Sequence, residues 1–159
     1  MQPLELYIHI PFCVKKCAYC DFLSGPAGEK EKEEYVKMLV DEIRNCPDTV
    51  QNYRVISIFF GGGTPSLLTG EQIGRLMDTV REIFTLDEDA EITMEMNPGT
   101  VTEEKLRKYR QAGVNRLSIG LQSVNDEELR LLGRIHTYEE FREAYHLARA
   151  NGFSNIMLI

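Results

Sequence analysis

The sequence predicts an α/β fold in which parallel strands and covering helices alternate to build part of a barrel. Three observations carry this expectation. Strand-like segments recur at residues 4–10, 55–60, 91–96, 115–119 and 155–159, and helical periodicity follows each of the first four. Alternate side chains within the strands separate by polarity, and the unusual residues all fall where strands end.

The first strand, LELYIHI, sets Leu6, Ile8 and Ile10 on one face and Tyr7 and His9 on the other. It runs into CVKKCAYC, and the mixed-charge stretch 24–34 then reads as a loop entering a solvated helix face. Tyr35, Val36, Leu39, Val40 and Ile43 recur at helical spacing and are read as core, while Cys46 stands before Pro47 at the helix end as a small, partly buried side chain. The second strand closes on Gly61-Gly62-Gly63-Thr64-Pro65, and Thr69 with Gln72 marks the next helix start.

In the third strand Ile92, Met94 and Met96 lie opposite Thr93, Glu95 and Asn97. In the fourth, Leu117, Ile119 and Leu121 lie opposite Arg116, Ser118 and Gln122. Asn125 with Glu128 and Thr137 with Glu140 place two further capping pairs. Tyr138, Phe141, Tyr145 and Leu147 read as packing of the last helix, and a fifth strand ends the chain. In an antiparallel sheet the polar faces would simply meet water. In a parallel strand–helix repeat they look into a barrel interior or cleft, and polar groups there need partners.

At 159 residues the chain is one domain's worth, with a hydrophobic fraction of 43% and a charged fraction of 27%, as in ordinary globular proteins. A net charge of -7 argues against a general nucleic-acid-binding surface. No signal-like amino terminus and no apolar run of bilayer length is present, so the expectation is a cytoplasmic, reducing location that suits free thiols.

Cys13, Cys17 and Cys20 form a C-x3-C-x2-C triplet at the end of the first strand. Thiolates hold iron–sulfur clusters, normally four of them, so three would leave one iron open to an external ligand. Zinc is the rival reading, since Cys3His is an ordinary structural set and His9 lies four residues upstream of Cys13. Bystander thiols are the third reading. The glycine run lacks the lysine of a phosphate-binding loop and the spacing of a dinucleotide fingerprint, so it reads either as a tight turn or as backbone bared to a ligand. Glu95 between two methionines needs a partner, either a ligand's hydroxyl or ammonium or the guanidinium of Arg116. Arg134, in LLGRIH, suits a ligand carboxylate by its planar fork or else a surface ion pair. His136 is left without a role.

In LYIHIPFCVKKCAYCDF, FFGGGTPS, ITMEMNP, NRLSIGLQS and LGRIH, stretches spread over nearly the whole chain, the sequence resembles the radical S-adenosylmethionine superfamily. Within that superfamily it resembles the group containing oxygen-independent coproporphyrinogen III oxidase and the HemW-type haem chaperone. The resemblance implies a partial (β/α) barrel of radical SAM type. It implies that Cys13, Cys17 and Cys20 hold a 4Fe-4S cluster whose open iron takes the amino and carboxylate groups of S-adenosylmethionine. By the same similarity the Tyr19 backbone meets the adenine, and Gly62, Gly63 and Thr64 cradle the methionine amino end. Glu95, Gln122 and Arg134 match positions that hold the cofactor's polar groups, some of them for a second cofactor molecule, and Tyr7 matches a tyrosine near the cluster-bound one. Electron injection then yields a 5′-deoxyadenosyl radical, which needs a cluster toward the negative end of the roughly -700 to +450 mV range.

Two departures shape the expectation. The oxidase carries a further cysteine two residues after the third, whereas here Cys20-Asp21-Phe22 follows the HemW-type pattern. That favours haem or a porphyrin as the partner in a chaperone's role over decarboxylation of coproporphyrinogen, with the oxidase as alternative and a zinc-stabilised binding module as a weaker one. The family's barrel has six strands and a further domain, so residues 1–159 read as the amino-terminal part of a radical SAM core, cut within the fifth strand. The electron donor is not named by these residues.

Overall fold

The computed structural model describes all 159 residues. Five strands form one sheet: β1 (Gln2–Ile10), β2 (Tyr53–Gly62), β3 (Thr85–Met96), β4 (Arg116–Ile119) and β5 (Asn155–Leu158). They pair in the order β1-β2-β3-β4-β5, every pair parallel. Helices α1 (Glu29–Arg44), α2 (Gly70–Ile83) and α3 (Glu103–Ala112) fill the first three crossovers. The pair α4 (Asp126–Leu131) and α5 (Tyr138–Ala150) fills the fourth. Parallel strands laid down in sequence order, joined by crossovers of one hand, keep their helices on one face. The other face is left for the concave side of an arc, so the expected partial barrel is the one found.

The register aligns the two kinds of side chain across the sheet. Ile8, Phe60, Met94 and Leu117 stand in one row and continue to Ile156, whereas Tyr7, Phe59, Thr93 and Arg116 stand in the row beside it. The apolar row lies in a core cluster of 27 buried residues, which takes Val36 and Ile43 from α1, Ile73, Leu76, Met77 and Val80 from α2, Leu106 and Tyr109 from α3, and Phe141, Ala144 and Ala148 from α5. Removal of this apolar surface from water is the main stabilising term. Tyr138, Tyr145 and Leu147 pack partly against the same cluster.

Local signals set the helix ends. Thr69 and Thr137 close reciprocal capping boxes with Gln72 and Glu140. Asn125 caps α4 by accepting from the Glu127 and Glu128 amides, but Glu128 turns to the Ser123 hydroxyl instead of closing the expected box. Strand β3 starts six residues earlier than residue 91. Its acidic entry, residues 87–90, has poor strand propensity, yet Arg54 on β2 pairs with Asp87 at 3.0 Å and holds it extended beside a register shift near Val55.

Candidate functional site

The carboxyl ends of the strands converge on one cleft lined by Cys13, Cys17, Cys20, Tyr19, Gly62, Gly63, Thr64, Glu95, Gln122 and Arg134. Ten of the eleven residues singled out from the sequence therefore meet there. Tyr7 does not line it: the ring is 58% exposed, with its hydroxyl on His9.

The cysteine loop, residues 11–28, has no regular helix or strand, so other groups must hold it. Phe12 bridges to Gly25, and the Cys13 amide donates to the Gly25 carbonyl at 2.9 Å. Farther along, the Ala18 amide donates to the Leu132 carbonyl at 3.1 Å, and the Cys20 amide to the Cys17 carbonyl at 3.1 Å. His9 closes the loop's return: its Nε2 meets the Leu23 carbonyl at 3.2 Å, which fixes Nε2 as the protonated nitrogen and leaves Nδ1 to accept from Tyr7 at 3.1 Å. Both ring nitrogens are thus engaged, and His9 is not poised as the fourth ligand of a Cys3His zinc set. No three His, Cys, Asp or Glu side chains converge tightly enough to hold a single metal ion. A cluster makes a different demand, because its thiolates occupy separate iron corners.

The glycine turn presses directly on this loop. The Gly63 amide donates to the Ile10 carbonyl at 2.8 Å and the Thr64 amide to the Phe12 carbonyl at 2.6 Å. A Cβ at Gly63 would stand 2.5 Å from the Phe12 oxygen, and one at Gly62, where φ is +111°, would stand 2.5 Å from the His9 ring. Only glycine permits that approach. The next residue carries a hydroxyl to the cysteine loop: Thr64 Oγ1 donates to Cys13 Sγ at 3.7 Å.

Glu95 emerges from β3 beside the turn. Its Oε2 accepts from the Gly62 amide at 3.1 Å, and burial pushes its carboxyl above the usual range, with the Gly62 N–H and nearby His9 pulling the other way. Arg116, the salt-bridge partner considered from the sequence, instead binds Glu91 at 3.1 Å. Glu95 keeps its second oxygen for another donor.

Arg134 reaches into the cleft from the turn after α4. Its Nη1 donates to Cys17 Sγ at 3.7 Å, and its Nη2 donates to Asn97 Oδ1 at 2.6 Å and to the Gly120 carbonyl at 2.9 Å. Its Nε is buried without a partner. The guanidinium lines the cleft, and its planar fork is suited to a carboxylate. Tyr19, half exposed between Arg134 and Cys17, has its hydroxyl pKa raised, chiefly by burial and further by Cys17, against the pull of Arg134. Gln122 sits at φ +66°, in the left-handed region where a non-glycine residue stores strain, a feature that clusters at ligand sites. His136 is buried, donates from Nε2 to the Leu121 carbonyl at 3.3 Å, and is held neutral by burial and by Arg134.

Asn97, Ser118 and Gly120 also line the cleft; the sequence placed Asn97 and Ser118 on the polar strand faces and gave none of the three a role. Asn97 was legible as a polar-face residue at a strand end, and its amide can both donate and accept.

The Radical SAM superfamily profile matches residues 7–159. The haem chaperone HemW of Escherichia coli (strain K12) is 48% identical over 159 residues, covering 99% of this chain and 42% of the relative, and that of Bacillus subtilis (strain 168) is 39% identical over 153 residues, covering 96% and 40%. The structure of coproporphyrinogen III oxidase (HemN) from Escherichia coli, a radical SAM enzyme, superposes with a TM-score of 0.90 at 36% identity, covering 99% of this chain and 36% of that one. This chain spans about two fifths of the length of these curated relatives. That family implies S-adenosylmethionine and a 4Fe-4S cluster, and three thiols, a glycine turn, a carboxylate and a guanidinium lining one cleft suit both. The chain belongs to the radical SAM superfamily.

Proposed function

We propose that this chain carries the cofactor site of a haem-handling radical SAM protein of the HemW type. In this reading Cys13, Cys17 and Cys20 hold the cluster, and S-adenosylmethionine binds against Gly62, Gly63, Thr64, Tyr19, Glu95, Gln122 and Arg134, with Tyr7 beside the site. The observation that carries it is the convergence of the three thiols, the glycine turn, Glu95 and Arg134 on one cleft. When bound, the cofactor pair supplies one-electron reductive chemistry, and the protein supplies binding and orientation.

The chain's own residues divide the work. Thr64 and Arg134 donate to Cys13 and Cys17 sulfurs, which stabilises thiolate charge and tunes a cluster's potential. The Arg134 guanidinium, at the cleft wall, is suited to the cofactor's carboxylate. Glu95, held by the Gly62 amide, offers its second oxygen to a ribose hydroxyl or an ammonium. The glycine turn, pressed against the cysteine loop, offers its backbone to the methionine end.

Haem as the bound tetrapyrrole is supported by the names of the relatives and by Phe22 standing where the oxidase has its additional cysteine. The oxidase reading draws on the structural likeness to HemN. Full-length, anaerobically reconstituted protein separates them: stoichiometric haem binding without consumption of coproporphyrinogen III supports the chaperone, and turnover of coproporphyrinogen III overturns it. We place the protein in the cytoplasm, where free thiols persist; no helix is long and apolar enough to cross a membrane. The 159 residues form the amino-terminal part of a longer radical SAM core in this proposal, as the length of the relatives supports.

A further inference from the structure

Asn97 is the one side chain that touches both halves of the cleft. It leaves the end of β3 and lies between the glycine turn and the Arg134 loop, residues that are 33 and 37 positions away in sequence. Its Oδ1 accepts from Arg134 Nη2 at 2.6 Å, and its Nδ2 donates to Thr64 Oγ1 at 3.0 Å. Thr64 Oγ1 in turn donates to Cys13 Sγ at 3.7 Å. Every donor in this series points the same way, from the guanidinium through the amide and hydroxyl to the sulfur. Hydrogen bonds in such a series polarise one another.

The backbone of Asn97 is tied down as firmly. Its amide donates to Ser66 Oγ at 3.3 Å and its carbonyl accepts from Thr100 Oγ1 at 2.6 Å, while Lys105 Nζ donates to the Ser66 carbonyl at 2.7 Å and to the Thr100 carbonyl at 3.0 Å. The space around the amide is closed as well. A Cβ at Gly120 would stand 2.8 Å from Arg134 Nη2 and 2.9 Å from Asn97 Oδ1, so the pair fits only over a glycine.

We infer that Asn97 is a positioning residue for the cofactor site: it holds the Arg134 guanidinium in its pose at the cleft wall, and it directs the Thr64 hydroxyl proton onto the Cys13 sulfur. Asn97 needs no contact with the cofactor for this. Two measurable properties then hang on one amide, the affinity for S-adenosylmethionine and the potential of the cluster. The inference rests on the cofactor reading above.

The test uses Asn97→Leu, which keeps the shape and removes both polar atoms, and Gly120→Ala, which pushes the Arg134–Asn97 pair apart without altering either side chain. Full-length protein is reconstituted anaerobically and measured for iron per chain, melting temperature, S-adenosylmethionine affinity by equilibrium dialysis, and midpoint potential. Asn97→Leu is expected to keep its iron, to bind S-adenosylmethionine about tenfold more weakly, as loss of a charged hydrogen bond implies, and to shift the cluster potential to more negative values. Gly120→Ala is expected to weaken S-adenosylmethionine binding while iron is retained. Parent-like affinity and potential in Asn97→Leu overturn the inference. So does loss of iron in step with loss of binding, which would make Asn97 a scaffold residue only. A parent protein that takes up neither iron nor S-adenosylmethionine overturns the cofactor reading itself, and this inference with it.

Discussion

Glu95 accepts the Gly62 amide at 3.1 Å, so the one carboxylate in the cleft wall is also what holds the glycine turn against the third strand. The same oxygen pair therefore answers to two demands. Burial raises the Glu95 carboxyl above its usual range, which means that ionisation costs the folded state more than the unfolded chain.

The consequence for Glu95→Gln has a definite sign. A raised carboxyl leaves stability intact at pH values below its unfolded range and removes part of it as pH rises through the folded value. The amide oxygen of Gln still accepts from Gly62 and carries no charge. Glu95→Gln is expected to melt above the parent at pH 7, with the gap closing as the pH is lowered into the carboxyl range, and to bind S-adenosylmethionine roughly 10- to 100-fold more weakly, as expected for a lost charged hydrogen bond. Calorimetry across pH, with equilibrium dialysis at pH 7, checks both parts.

Gly63→Ala tests the contact between the turn and the cysteine loop. The new methyl would meet the Phe12 backbone at 2.5 Å, and backbone does not yield as a side-chain tip does. A destabilisation of about 1–3 kcal/mol is expected, in the range of overpacked sites, along with reduced iron loading because Cys13 follows Phe12 directly. Denaturant unfolding and iron analysis measure the two effects.

Lys105 gives a pH dependence of opposite origin. Burial pulls its ammonium down to about 8, while its Nζ serves the Ser66 and Thr100 carbonyls. Below about 8 the amine is charged in both folded and unfolded chains and carries its full burial cost. Between about 8 and the solvent lysine value of 10.5 only the folded chain holds it neutral, and the cost fades. The stability of the parent relative to Lys105→Met is therefore expected to rise across that window; a flat difference from pH 7.5 to 10 would show that the carbonyls keep the ammonium charged.

Cys17→Ala is expected to abolish cluster binding while far-UV circular dichroism stays at the parent level. Cys17 lies in a loop whose backbone is tied by Ala18 to Leu132 and by Cys20 to Cys17, and neither bond uses the thiol. Iron content equal to the parent's would contradict the assignment.

Much of this site was legible before any coordinates because strand alternation and strand ends are short-range signals. Glu95 reaches the cleft from a strand whose alternate residues, Met94 and Met96, are buried, and Gly62 and Gly63 declared themselves by occurring together at a strand end. The resemblance added Tyr19, which periodicity does not pick, and gave a role to Gln122, which alternation had placed only on the polar face. Asn97 was not legible as a hub, since each of its partners arrives through tertiary folding from another strand end. The start of β3 was missed for a related reason: its acidic residues have no strand propensity of their own and are held by Arg54 across the sheet.

The central claim is that three thiols hold a cluster with one iron left for S-adenosylmethionine. It is tested most directly by electron paramagnetic resonance of the anaerobically reconstituted, dithionite-reduced protein before and after S-adenosylmethionine is added. The account predicts a brown protein with about four irons and four sulfides per chain whose reduced-cluster spectrum changes when S-adenosylmethionine binds. Stoichiometric zinc without sulfide, or a cluster spectrum unchanged at saturating S-adenosylmethionine, would contradict it.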